Sequence, residues 1–199
     1  MLHVTNLRRL MIGPVSFRLE DGECVAITGP SGCGKSVLLR AIADLDPNEA
    51  DNLLAGKISR AEVPATRWRK HVAMLPADSG WWQDRVGAHF HDPDKTAHQL
   101  PLVDLPENAM EWQVSRLSTG EKHRLALLRC LENEPSVLLL DEPTAALDHE
   151  TTLKVETLLK QQLVKGVSIL IVTHDINQPK RIANRILRLH SGKLAEITA

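Results

Sequence analysis

The chain has 199 residues, 43% hydrophobic and 25% charged, with Lys plus Arg at 24, Asp plus Glu at 25 and a formal net charge of −1. That is the size and make-up of one globular domain able to bury a sizeable core. It excludes a disordered chain, a collagen, a coiled-coil rod and a nucleic-acid binder that works through a global positive field. Cys24, Cys33 and Cys130 show neither metal-ligand spacing nor an even-numbered framework, so a reduced, cytoplasmic protein is expected. No apolar run reaches the roughly 18 residues of a membrane span, and the first residues lack the apolar core of a signal peptide. A role at a membrane would therefore run through a partner.

Residues 2–7 and 14–19 read as two short strands, and Asp21-Gly22 as a turn. Residues 23–28 (ECVAIT) form a buried strand that runs into a glycine-rich loop, and 35–44 continue as a helix. Residues 45–66, with Pro47, Gly56 and Pro64, read as a loop, and 71–75 (HVAML) as a strand. Between 76 and about 116 Pro, His, Asp and Trp are frequent and no strand pattern survives, which predicts an irregular, mostly helical insertion. A helix is predicted over about 119–132, a fully buried strand over 136–140 (SVLLL), a helix over about 149–165 and a second buried strand over 168–173 (SILIVT). A short helix and two terminal strands near 185–189 and 193–197 complete the chain. Strands alternating with helices predict an α/β fold with a mainly parallel sheet.

The strongest chemical signal is Gly29-Pro30-Ser31-Gly32-Cys33-Gly34-Lys35-Ser36, a Gly-x-x-x-x-Gly-Lys-Ser/Thr loop between a strand and a helix. Glycines let the backbone turn its N–H groups onto phosphate oxygens, and the helix N-terminus adds its positive end. Lys35 neutralises β/γ-phosphates and the Ser36 hydroxyl is a Mg²⁺ ligand. Asp141 and Glu142 end the VLLL strand, where ligands of parallel sheets bind: Asp141 can hold Mg²⁺ and Glu142 can take a proton from water. Ser118 and Glu121 have the spacing of a helix capping box, and the same N–H groups can grip an anion. His174 comes directly after SILIVT, where an imidazole can contact a γ-phosphate or simply sit in solvent.

Together these residues resemble the ATP-binding cassette (ABC) family of ATPases. The phosphate loop is similar to that family's Walker A, and Leu117-Ser118-Thr119-Gly120-Glu121 to its LSGGQ signature. VLLLDEPTAALD is similar to its Walker B and D-loop, ending in Asp148, and IVTHD to its switch histidine segment at His174. The resemblance covers essentially the whole chain. It implies a P-loop NTPase core at about 1–77 and 133–199, with a small antiparallel N-terminal part and an inserted helical lobe at about 78–132. It implies ATP and Mg²⁺ as ligands, with Ser36 and Asp141 at the metal, Glu142 as general base and His174 as γ-phosphate sensor. Ser118, Thr119 and Gly120 would act in trans on the partner's nucleotide, and Asp148 would link the two sites. The implied assembly is a homodimer, or a heterodimer with another cassette, driving a separate transmembrane permease from the cytoplasmic side, without nucleic acid. A soluble cassette ATPase of translation or DNA repair, or a low-turnover regulatory module, are the alternatives.

The chain departs from the family pattern in places. Ala77 stands where a glutamine comes after the HVAML strand, with Gln83 farther on; Leu10 and Met11 occupy the place of an adenine-stacking aromatic; Thr119 replaces a signature glycine. Other clusters have two readings each. His89, His91, His98, Asp92 and Asp94 could be a metal site or a solvated loop. Arg67-Trp68-Arg69-Lys70-His71 could touch an acidic partner or form a solvated face. Trp81 and Trp82 could anchor a membrane subunit or pack in the core. Cys33, at a helix N-terminus, reads as a small loop residue.

Overall fold

The computed structural model describes residues 1–197, and two sheets carry its fold. The smaller is four-stranded and antiparallel, in the order β2 (Ile12–Leu19), β1 (Leu2–Arg9), β4 (Asn52–Ala55) and β5 (Ile58–Ser59). The larger has six strands in the order β10 (Lys193–Ile197), β9 (Arg185–His190), β3 (Cys24–Thr28), β8 (Ser168–Val172), β7 (Val137–Asp141) and β6 (Val72–Leu75). All its pairings are parallel except β10 on β9.

The continuous apolar runs explain the parallel sheet. Every residue of β7 and β8 is buried, because helices and loops cover both faces. Alternation along each strand splits the core in two. Leu138, Leu140, Ile169 and Ile171 face α4 (Thr119–Leu131) and α5 (His149–Val164), while Leu139, Leu170 and Val172 face α1 (Lys35–Ile42) and the antiparallel sheet.

The segment read as a loop at 45–66 holds β4 and β5, and α2 (Ala65–His71) reaches into it. The strands are too short for an alternation to register, and Gly56 supplies their turn with φ of 58°. In α2 only Trp68 is buried, so no helical stripe is visible. Trp68 is 0% exposed, and its Nε1–H donates to the Ile42 carbonyl at 2.9 Å. The basic cluster around it therefore carries no exposed aromatic. Residues 76–118 contain α3 (Pro93–Ala97) and several 3₁₀-helical turns, which bury Val86, Leu100, Val103 and Ala109 against α4. A short helix, α6 (Gln178–Ile182), joins β8 to β9.

Candidate nucleotide site

The C-terminal ends of β3, β6, β7 and β8 open onto one cleft of about 270 Å³. Lys35 and Ser36 open α1 after the loop that follows β3, Ala77 follows β6, Asp141 ends β7 with Glu142 next to it, and His174 follows β8. This is the C-terminal edge of a parallel sheet, where open α/β sheets bind ligands.

The loop keeps its path because side chains are excluded from it. Gly34 caps α1 with φ of 101°, and a Cβ there would lie 2.5 Å from Ile12 Cδ1. At Gly29 a Cβ would lie 2.3 Å from the Leu189 carbonyl oxygen. Lys35 is buried, and its Nζ donates to the carbonyls of Gly29 at 2.9 Å and Pro30 at 3.1 Å, which stretches the ammonium across the loop mouth. Cys33 packs partly into the second core, as a small loop residue does.

Glu142 is held in a left-handed conformation, φ 55°, the kind of backbone strain that clusters at active sites. Its N–H donates to the Val172 carbonyl at 2.9 Å, and its carbonyl accepts from Ala145 N–H at 3.1 Å. Oε2 accepts the His174 N–H at 3.1 Å, and Oε1 lies 3.4 Å from His174 Nε2. Burial raises the Glu142 carboxyl above its ordinary pKa, with His174 pulling the other way. A carboxylate made more basic beside an anion site is suited to accept a proton. His123 of α4, 4% exposed, sits beside the Glu142 main chain; burial lowers its pKa, and its Nε2 has no partner among the described residues. His123 is a single histidine inside a helix and belongs to no motif in the sequence.

Ser118, Thr119, Gly120 and Asp148 lie outside the cleft. The capping box is formed: Ser118 Oγ accepts from Glu121 N–H at 3.2 Å, and Glu121 Oε2 accepts from Ser118 N–H at 2.8 Å. At Gly120 a Cβ would approach the Ala146 carbonyl oxygen to 3.1 Å, so α4 starts close against the segment leading to Asp148. Asp148 caps α5, accepting from Thr151 N–H at 2.8 Å and Thr151 Oγ1 at 2.9 Å, and these bonds lower its pKa.

Ala77 faces the cleft and Gln83 does not. Met11 lines the cleft mouth, 58% exposed, with Leu10 at 71% beside it. Trp68 is buried and so cannot serve as a substitute aromatic. The histidine-rich stretch is no metal site: His89 is buried, its Nε2 accepting from Trp82 and Gln83 N–H at 3.0 Å each, while His91 and His98 are exposed. No His, Cys, Asp or Glu group among the described residues is placed to hold a metal there. Trp81 packs partly into the core and Trp82 stays 69% exposed. Arg129 lies 4.6 Å and 5.1 Å from their ring centroids.

Residues 12–145 match the family model described as ABC transporter. The chain belongs to the ABC transporter family. Within that family it is an ATP-binding subunit and an ATPase. Among curated ABC relatives, the aliphatic sulfonates import ATP-binding protein SsuB of Pectobacterium atrosepticum is 34% identical over 194 residues, covering 94% of this chain and 71% of the relative. SsuB 3 of Paraburkholderia xenovorans is 37% identical over 190 residues, covering 94% and 74%. Among solved structures, a dimeric bacterial ABC transporter cassette superposes with TM-score 0.79 at 25% identity, covering 100% of both chains. An ATP-bound bacterial Atm1-family ABC exporter gives 0.78 at 28%, covering 98% of this chain and 38% of the exporter. As an ABC ATPase the chain has the P-loop α/β fold expected from its motifs.

Proposed function

We propose that this ATPase works as a head-to-tail homodimer that powers a separate membrane permease. The observation that carries the reading is the meeting of Lys35, Ser36, Asp141, Glu142 and His174 in one cleft, with Ser118, Thr119 and Gly120 outside it. A site whose second anion-binding helix end lies elsewhere on the same chain is completed by a second copy. A two-fold axis then makes two equal sites.

In each site the amides of 29–36 and the Lys35 ammonium bind the phosphates. Ser36 and Asp141 offer hard oxygen donors at the cleft, a set that fits Mg²⁺ with water completing its shell. Bound there, Mg²⁺ supplies charge neutralisation to the phosphates. Glu142 takes the proton of the attacking water, and His174, oriented against Glu142, contacts the γ-phosphate. From the partner copy, Ser118, Thr119 and Gly120 close on the nucleotide, and Asp148 links the sites. No helix among the described residues is long and apolar enough to cross a membrane. In this reading the permease holds the chain at the cytoplasmic face and sets the cargo; the relatives' names, import ATP-binding proteins, support the transport role.

Lys35→Ala tests the reading, because it removes the charge facing the β/γ-phosphates. Calorimetric titration with MgATP should show binding reduced to near background; affinity equal to wild type would refute the phosphate-site assignment.

A further inference from the structure

Glu156 lies on α5, outside the cleft, and is only 1% exposed. A carboxylate so placed must be paired. Arg181 of α6 grips it with a two-pronged contact, Nε to Oε2 at 2.8 Å and Nη2 to Oε1 at 2.7 Å. The same Nη2 donates to Asp175 Oδ2 at 2.8 Å, and Asp175 is the residue after His174. Asp175 in turn shapes its own loop: Oδ1 accepts Asn177 N–H at 2.8 Å, and its N–H donates to Thr173 Oγ1 at 3.1 Å.

On the other side stands Gln178, 0% exposed. Its Nε2 donates to Glu156 Oε1 at 3.2 Å and to Thr144 Oγ1 at 2.9 Å. Thr144 belongs to the turn closed by Ala145 N–H on the Glu142 carbonyl. The contacts thus form a ring: Glu142, Thr144, Gln178, Glu156, Arg181, Asp175, His174, and back to Glu142 through the His174 N–H at 3.1 Å. A buried pair of this kind adds little net stability over an apolar substitute of the same volume. Its bidentate fork does impose one geometry.

We propose that Glu156 is a positioning residue for hydrolysis: through Arg181 and Gln178 it holds the loop that carries His174 at a fixed spacing from the loop that carries Glu142. The inference rests on Glu142 being the base. Neither Glu156, Arg181 nor Gln178 lines the cleft. Loosening the ring therefore leaves the phosphate-binding loop intact and disturbs the relation between the groups around the attacking water.

The test uses the full chain. Steady-state phosphate release with MgATP is measured for wild type, Glu156→Gln, Thr144→Val and Glu142→Gln, alongside calorimetric nucleotide affinity and the thermal midpoint. Glu156→Gln and Thr144→Val should lose about ten- to a hundredfold in kcat, because sub-ångström to ångström misplacement costs that much. Nucleotide affinity should stay within about threefold, since Lys35 and the loop amides are untouched. Thr144→Val removes one hydrogen bond without burying a charge, so it should keep its midpoint and decides the matter alone if Glu156→Gln does not fold. A folded Thr144→Val with wild-type kcat, or a kcat loss matched by equal loss of affinity, overturns the positioning role. Turnover retained in Glu142→Gln overturns the assignment of the base and this inference with it. An inactive Glu142→Gln beside a fully active Thr144→Val overturns this inference alone.

Discussion

Glu142→Gln separates chemistry from binding at this site. Glutamine has nearly the same shape, and its amide oxygen can keep the His174 N–H bond that Oε2 accepts at 3.1 Å. The left-handed backbone, φ 55°, suits glutamine no worse than glutamate. The substitution removes the proposed proton acceptor, a contribution of about 10² to 10⁴ in rate, or about 2.7–5.5 kcal/mol of activation free energy. Turnover at saturating MgATP should fall by that factor while nucleotide affinity persists. With hydrolysis stalled, light scattering should report twice the monomer mass in MgATP.

The pH dependence has a defined sign. Burial raises the folded-state carboxyl pKa above the ordinary value of 4.5. The base must be ionised, so the acidic limb of the wild-type rate profile should have its midpoint above 4.5 and should be missing from any residual activity of the glutamine variant. For stability, a raised folded pKa means that Glu142's contribution is fully present below the unfolded value and is lost as pH rises through the folded one. At neutral pH the variant should therefore melt no lower than wild type. Turnover within tenfold of wild type would refute the base assignment.

Ala77 lines the cleft but brings no donor or acceptor to it. Ala77→Gln should raise phosphate release about tenfold or more with little change in affinity, whereas Gln83→Ala should leave it unchanged because Gln83 lies outside the cleft; a slow Gln83→Ala would show that Gln83 swings in. The cleft mouth offers only Met11 and Leu10 to a base, so ATP and GTP should compete within about tenfold of each other, and strong ATP preference in competition titrations would refute this. Trp68→Ala empties a fully buried site and removes the Ile42 carbonyl's donor, so it should cost about 3–5 kcal/mol and about 10–15 °C of melting temperature, read by calorimetric melting.

Much of the frame is legible in the chain because its strands are buried on both faces. Leu138–Leu140 and Ile169–Val172 are unbroken apolar runs, and the glycine loop announces the strand before it and the helix after it. The small elements between 45 and 71 leave no such mark. β4 and β5 are short, and α2 is held by one tryptophan whose partner, the Ile42 carbonyl, belongs to another helix. The same distinction divides the site. Asp141, Glu142 and His174 sit at strand ends and Lys35 opens the helix after the glycine loop, where sequence position nearly dictates location. The ring through Glu156, Arg181 and Gln178 joins residues far apart in the chain. Gln178 and Glu156 look like ordinary polar positions on surface helices until the fold buries them.

The tryptophans occupy environments that differ enough to be told apart optically. Trp68 is sealed in the core, whereas Trp82 is 69% exposed with Arg129 beside it. Emission from Trp68 should lie toward the blue and resist iodide or acrylamide, while that from Trp82 should lie toward the red and be quenched first. Trp82 does not line the candidate cleft, so filling the cleft of an isolated chain leaves its contact with quencher unchanged. A protein laid over that face would shield it. The chain thus carries a built-in dye on the surface beside Arg129, and an unlabelled sample can report contact there separately from occupancy of the cleft.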